Sequence, residues 1–230
     1  RVIDELKTTL SDRLADRLVA IYRFGSGFAR GAQGPVARFL VLVTRLDAAL
    51  LEDVAHVVHA ATNERIVIRL DTAKDVLRCA DVFPVFALEL LDTKELVFGR
   101  DVLDTLAVHP AELRGRIEQS LRHIHRELLQ TYLVADGDRG LAKALRASVR
   151  KSIYLLRALT LVSGQDVAAP STVEALIDAV TLIDGDERPM WHRMRRFAAF
   201  EDTLEHAELV RLYSDALNTF ASLIDRVDTM

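Results

Sequence analysis

With a single cysteine, Cys79, among 230 residues, the chain can form neither an internal disulfide nor a cysteine-based metal cage. It lacks any apolar run of membrane-spanning length, and its first residues, "RVIDELKTTL", do not resemble a secretion signal. A cytoplasmic protein with no membrane partner is therefore expected. A basic surplus is missing too: the net charge is −4 and the pI about 6.0, which argues against nucleic-acid binding by bulk charge and leaves only local basic patches to weigh. No internal repeat and no low-complexity tract is present. What is abundant is apolar residues, half of the chain, enough to bury the core of one large or two small domains.

The front half alternates element types. Val2, Leu6, Leu10 and Leu14 recur every four residues, as on one face of a helix. "LVAIYRF" reads as a buried strand stopping at Gly25, and "ARFLVLV" as a second ending at Thr44. Asp47 is a good N-cap for the helix "AALLEDVAHVVHAAT", which Asn63 ends. "RIVIRLD" is a third strand and "TAKDVLRCA" a short helix capped by Thr72 or Asp71. "FPVFALELLD" and "ELVFG", flanked by Pro84 and Gly99, look like further short strands. Past His109-Pro110 the period becomes 3.6 and stays there. Helices are expected over "AELRGRIEQSLRHIHRELLQTYLVA", over "GLAKALRASVRKSIYLLRALTLVSG" ended by Gly164, and over "STVEALIDAVTLI" capped by Ser171. The last forty residues make one very long helix or two consecutive ones. The expected fold is α+β, a small mixed sheet with flanking helices over residues 1–108 and an all-α helical bundle over 109–230.

"FGSGFARGAQGPVARFLVLV", residues 24 to 43, places a Gly-Ser turn after a strand. Backbone N–H groups and a hydroxyl around such a turn suit a phosphate, although Gly-Ser after a strand is also ordinary turn chemistry. Phe24, Gly25, Ser26, Ala29, Arg30 and Gly31 together resemble the opening of the nucleotidyltransferase superfamily, which includes DNA polymerase beta and the aminoglycoside nucleotidyltransferases. "DVFPVFALELLDTKELVFGRDVLDTLAV" is similar to a later segment of some bacterial members, one that leads into a helical domain. The resemblance covers the first 110 residues, and the bundle in outline. It implies a nucleotidyltransferase-like domain at 1–108 and nucleotide binding through Gly25, Ser26 and Arg30.

The same resemblance implies two aspartates, one residue apart, on the second strand, holding magnesium in the cleft. Counted back from "LVLV", those places fall on Ala37 and Phe39 with Arg38 facing the other way; a slip of one residue puts Val36 and Arg38 there instead. Neither register contains an acid. On the next strand only Asp71, at its end, is acidic. Metal clamping contributes several kcal/mol of transition-state stabilisation, and each ~1.4 kcal/mol is tenfold in rate. The expectation is a pseudoenzyme with no catalytic residues, no resident metal and no cofactor. An active magnesium-dependent transferase would need relocated carboxylates, for which Asp71, Glu89 and Asp92 are the metal-ligand candidates; the plainer reading of Glu89 and Asp92 is that they are solvated strand-edge acids.

Other chemistry is less developed. His56 and His59, three apart on a helix, could share a metal ion or simply decorate a polar flank. His123 and His125 point away from each other. Arg116 and His123 resemble the arginine–histidine signature of HEPN ribonucleases, which would make the chain a toxin–antitoxin-like component acting on RNA; two solvent-facing basic residues is the plainer reading. Arg139, Lys143, Arg146, Arg150 and Arg157 form a basic stripe, and Glu201, Glu205, Glu208 and Asp215 an acidic one. The basic stripe suits either a phosphate cleft or the acidic helix, within the chain or across a dimer. "RPMWHRMRR" adds a basic cluster around Trp191, a modest nucleic-acid signal or a helix start packing its tryptophan. The expected partners are a nucleotide, a second copy of the chain or a helical protein, rather than nucleic acid.

Overall fold

The computed structural model describes residues 2–25, 37–64, 66–164, 172–199 and 204–230. They divide into two compact units, one reaching Val108 and the other running from His109 to Met230.

The first unit opens with α1 (Val2–Leu14), and the fourfold recurrence of its leucines buries Leu6, Leu10 and Leu14. A 3-10 turn leads into β1 (Leu18–Phe24), followed by β2 (Ala37–Val43), α2 (Ala48–Asn63), β3 (Ile66–Thr72), α3 (Ala73–Val82), α4 (Pro84–Thr93) and β4 (Glu95–Gly99). The strands form one mixed sheet in the order β3-β2-β1-β4, with β2 and β3 parallel and the other pairs antiparallel. Successive strand residues face opposite sides. Ile21, Ala37, Phe39 and Val41 thus pack with Leu10 of α1 and Val54 of α2. Tyr22, Phe24, Leu40 and Leu42 pack on the other side with Val76 of α3 and Ala87 and Leu90 of α4. A sheet covered on both faces explains why β2 reads as a nearly unbroken apolar run.

The caps follow side-chain chemistry. The Asp47 carboxylate accepts from the Leu50 N–H at 2.9 Å, a contact worth about 1 kcal/mol. The Thr72 hydroxyl accepts from the Asp75 N–H at 3.1 Å and so, of the two candidates, is the cap of α3. One expectation fails: "FPVFALELLD" is not a strand but helix α4. Pro84 sits at its first turn, where a missing N–H costs nothing, and Ala, Leu and Glu are strong helix formers. Beyond β4, Tyr22 ties the chain down. Its buried hydroxyl donates to Asp101 Oδ1 at 2.9 Å and accepts from the Val102 N–H at 2.7 Å. Lys94 Nζ holds the same carboxylate. Leu103 and Leu106 then join the core of that face.

The second unit contains α5 (Pro110–Val134), α6 (Gly137–Val162), α7 (Val173–Ala179), α8 (Arg188–Ala199) and α9 (His206–Asp228). The final stretch is thus two helices rather than one. Ser171, the expected cap of α7, lies outside the described residues; Thr172 accepts from the Ala175 N–H at 3.1 Å and fills that role. Trp191 is buried with its ring edge-on to Phe220, centroids 5.4 Å apart, and the Tyr213 hydroxyl donates to the Leu128 carbonyl at 2.7 Å. Among the described residues no helix is long and apolar enough to cross a membrane.

Candidate functional site

The pleat of β2 decides where its one charge points. Ala37 and Phe39 enter the core against α1 and α2, so Arg38, opposite Phe24 in the β1–β2 register, faces the side covered by α3 and α4. This corrects the register that put Ala37 and Phe39 in the cleft. Arg38 takes the place that the alternative register gives it; Val36 lies outside the described residues.

A guanidinium between apolar strands needs an anion, and Glu89 of α4 supplies it through an ion pair from Arg38 Nη1 to Glu89 Oε1. Glu89 is a buried helix residue, not a strand-edge acid, because the first turns of α4 turn that face toward the sheet. Gly25 lies directly over the pair. A Cβ at that position would stand 2.7 Å from Arg38 Nη1 and 3.0 Å from Glu89 Oε1, and its φ of +76° suits glycine. The Gly25 N–H donates to Thr93 Oγ1 at 2.8 Å, and Thr93 in turn donates to the Glu89 carbonyl at 2.6 Å. The first amide of the Gly-Ser turn is thereby engaged inside the unit.

Two aromatic rings complete the cluster. The Arg38 guanidinium lies 4.4 Å from the centroid of Phe24, and that of Arg69 on β3 lies 4.0 Å from the centroid of Phe86. Phe24 and Phe86 meet edge-on at 5.9 Å. Stacking of this kind holds a guanidinium plane in place. Arg69 also reaches Asp71 at 3.3 Å. Burial pushes the Glu89 carboxyl up, while the charge and hydrogen bond of Arg38 and the charge of Arg69 pull it back without cancelling the rise.

A divalent cation does not fit this arrangement. Its natural ligand, the Glu89 carboxylate, already holds a guanidinium, and a second guanidinium raises the local positive charge. Among the described residues no three His, Cys, Asp or Glu side chains gather where a metal ion could be held. Asp71, Glu89 and Asp92 are therefore not collected into one metal site: Asp71 is engaged by Arg69, and Glu89, one turn from Asp92 on α4, is already held by Arg38, with no third ligand gathered beside them among the described residues.

The remaining sequence candidates disperse. Ser26 and Arg30 lie outside the described residues. His56 and His59 are exposed on α2. Arg116 donates to Gln119 at 3.1 Å and His123 sits 3.3 Å from Glu127, both exposed on α5. The basic stripe of α6 turns its centre to the C-terminal end of α8. Arg146 and Arg150 donate to the carbonyls of Phe197 and Ala198 at 3.4 and 3.1 Å, and Arg146 also lies over the Phe197 ring. Such contacts satisfy carbonyls that a helix end leaves open. In "RPMWHRMRR", His192 meets Asp178 at 3.0 Å and Arg193 meets Asp215 at 3.8 Å, while Trp191 is core. Glu201 of the acidic stripe lies outside the described residues.

The Arg38–Glu89 pair escaped the sequence reading, yet it left a trace. "ARFLVLV" and "FALELL" each carry one opposite charge inside an apolar run, and a lone buried charge calls for a partner.

No protein-family model and no curated protein sequence matches the chain. Among solved structures it is similar to spectinomycin adenyltransferase AAD(9) from Enterococcus faecialis, determined with ATP and spectinomycin. The TM-score is 0.62 over 99% of this chain and 98% of that one, at 14% identity. At that identity the likeness concerns the fold and not the chemistry. The chain has a nucleotidyltransferase-like α+β fold followed by a helical region.

Proposed function

We propose that this protein is a nucleotidyltransferase-like pseudoenzyme that holds the phosphates of a nucleotide and does not carry out metal-dependent transfer. The observation that carries this reading is Arg38, a cation on β2 beside Gly25 at the place where the resemblance requires a metal-binding acid, held by Glu89. Nucleotidyl transfer rests on positioning and on neutralising developing charge, much of it by metal ions. Without acidic ligands that contribution is lost. A guanidinium still offers bidentate hydrogen bonds to phosphate oxygens, so binding survives the exchange while metal chemistry does not. Ser26 and Arg30, following Gly25 in sequence, are the further residues assigned to the phosphates.

Calorimetric titration with each of the four NTPs, with and without Mg²⁺, tests the proposal. Binding of at least one NTP in EDTA, unimproved by Mg²⁺ and weakened by Ser26→Asp, is the expected result. Mg²⁺-dependent labelling of any acceptor from an NTP would overturn it.

A further inference from the structure

The cluster around Arg38 has an uneven distribution of charge between surface and interior. The Arg38 and Arg69 side chains are 34% and 42% exposed, whereas their carboxylate partners Glu89 and Asp71 are 9% and 19% exposed. An incoming ion meets two guanidinium groups first, each set against a phenylalanine ring, with the neutralising acid behind them. Cations are turned away by that outer layer and anions are drawn to it. Arg38 uses Nη1 on a single oxygen of Glu89, so the bidentate geometry that guanidinium groups favour is not filled by this pair.

From this geometry we infer that Arg38 and Arg69 form a metal-independent site for a polyphosphate chain, in which the Glu89 carboxylate is a resident anion that the ligand competes with. The inference rests on the reading of the chain as a phosphate-holding protein and names the groups that do the holding. Arg38 takes over the charge neutralisation that a divalent ion would provide, and Arg69 contacts a second phosphate. When no ligand is present Glu89 offsets the charge of Arg38 and Asp71 that of Arg69, which lowers the cost of two like charges packed against one sheet face. Gly25 contributes by having no side chain, since a Cβ there would press on the Arg38 guanidinium itself.

The test is titration of the full chain with tripolyphosphate and with ATP in EDTA. The proteins compared are the wild type, Glu89→Gln, Arg69→Gln and the double variant Arg38→Gln/Glu89→Gln. The double variant leaves no unpaired buried charge, and circular dichroism establishes that each variant is folded. Removing the resident negative charge is expected to tighten tripolyphosphate binding in Glu89→Gln by about tenfold or more. Arg69→Gln and the double variant are expected to lose it. A greater affinity for ATP than for tripolyphosphate would identify a nucleotide as the source of the chain; equal affinities would identify free polyphosphate, and either supports the site. ATP binding that is indifferent to all these substitutions would overturn the Arg38–Arg69 site and leave the proposed function standing. No binding of either ligand to wild type or Glu89→Gln would overturn the Arg38–Arg69 site, and no binding of any of the four NTPs would overturn the proposed function with it.

Discussion

The two units hold their arginines differently. In the first, Arg38 is neutralised by a carboxylate, Glu89, on a neighbouring helix. In the second, Arg150 donates to a main-chain carbonyl at the end of α8. A carboxylate is an ion that another ion can replace. A helix end is a fixed set of dipoles, part of the backbone, and nothing in solution competes for it at comparable geometry. The same residue type is therefore exchangeable in one place and structural in the other. Placement on a charge stripe says less about an arginine's role than the nature of its partner does.

The sharpest way to break this comparison is to remove Arg38 alone. Arg38→Ala leaves Glu89 buried without its cation and should lower the unfolding free energy by about 2–3 kcal/mol, near the low end for a broken buried pair because the guanidinium is partly exposed. Urea denaturation at neutral pH measures it, and adding Glu89→Leu should restore most of the loss. Gly25→Ala comes next, at about 1–2 kcal/mol for an L residue in the left-handed region, with added crowding against the ion pair. Arg150→Ala should cost about 0.5–1 kcal/mol, as loss of a favourable contact at a helix C-terminus. Values for Arg150 near those for Arg38 would remove the distinction between the two units.

The smallest effect is in pH. Glu89 holds its proton more tightly in the folded state than in the unfolded chain. Its contribution is greatest below the ordinary glutamate range and is lost as pH rises through the raised folded value. The stability of wild type relative to Glu89→Gln should therefore fall with rising pH across that window. Asp101 has the opposite sign. Burial pushes it up, but hydrogen bonds from Lys94, Tyr22 and the Leu103 N–H outweigh that and leave it low. Its share of stability is present above the ordinary aspartate range and is lost as pH falls. Denaturation series of Glu89→Gln and Asp101→Asn against wild type should diverge in these two directions.

Much of the fold was legible because periodicity and capping are local. The fourfold leucines of α1, the Asp47 cap and the break in period at His109-Pro110 each needed only a few consecutive residues. α4 was misread because "FPVFALELLD" is apolar enough for a strand, and its helicity is decided by packing against the far side of the sheet. The site was legible only in part. Gly25 announced a turn, but the pairing of Arg38 with Glu89 joins residues 51 apart and depends on which face of β2 meets which helix. A one-residue ambiguity of register on a strand exchanges the two faces entirely. The single lone charge in each apolar run was the signal that could have resolved it.

The Tyr22 hydroxyl has a bearing on how the molecule could be dissected. It sits at the middle of the sheet and grips residues 101 and 102, well past the last strand. A fragment trimmed at Gly99 would keep every strand yet strand a phenol in the interior and strip Leu103 and Leu106 from the core. Any attempt to shuttle this module between proteins, by an experimenter or by gene fusion, has to cut after Val108.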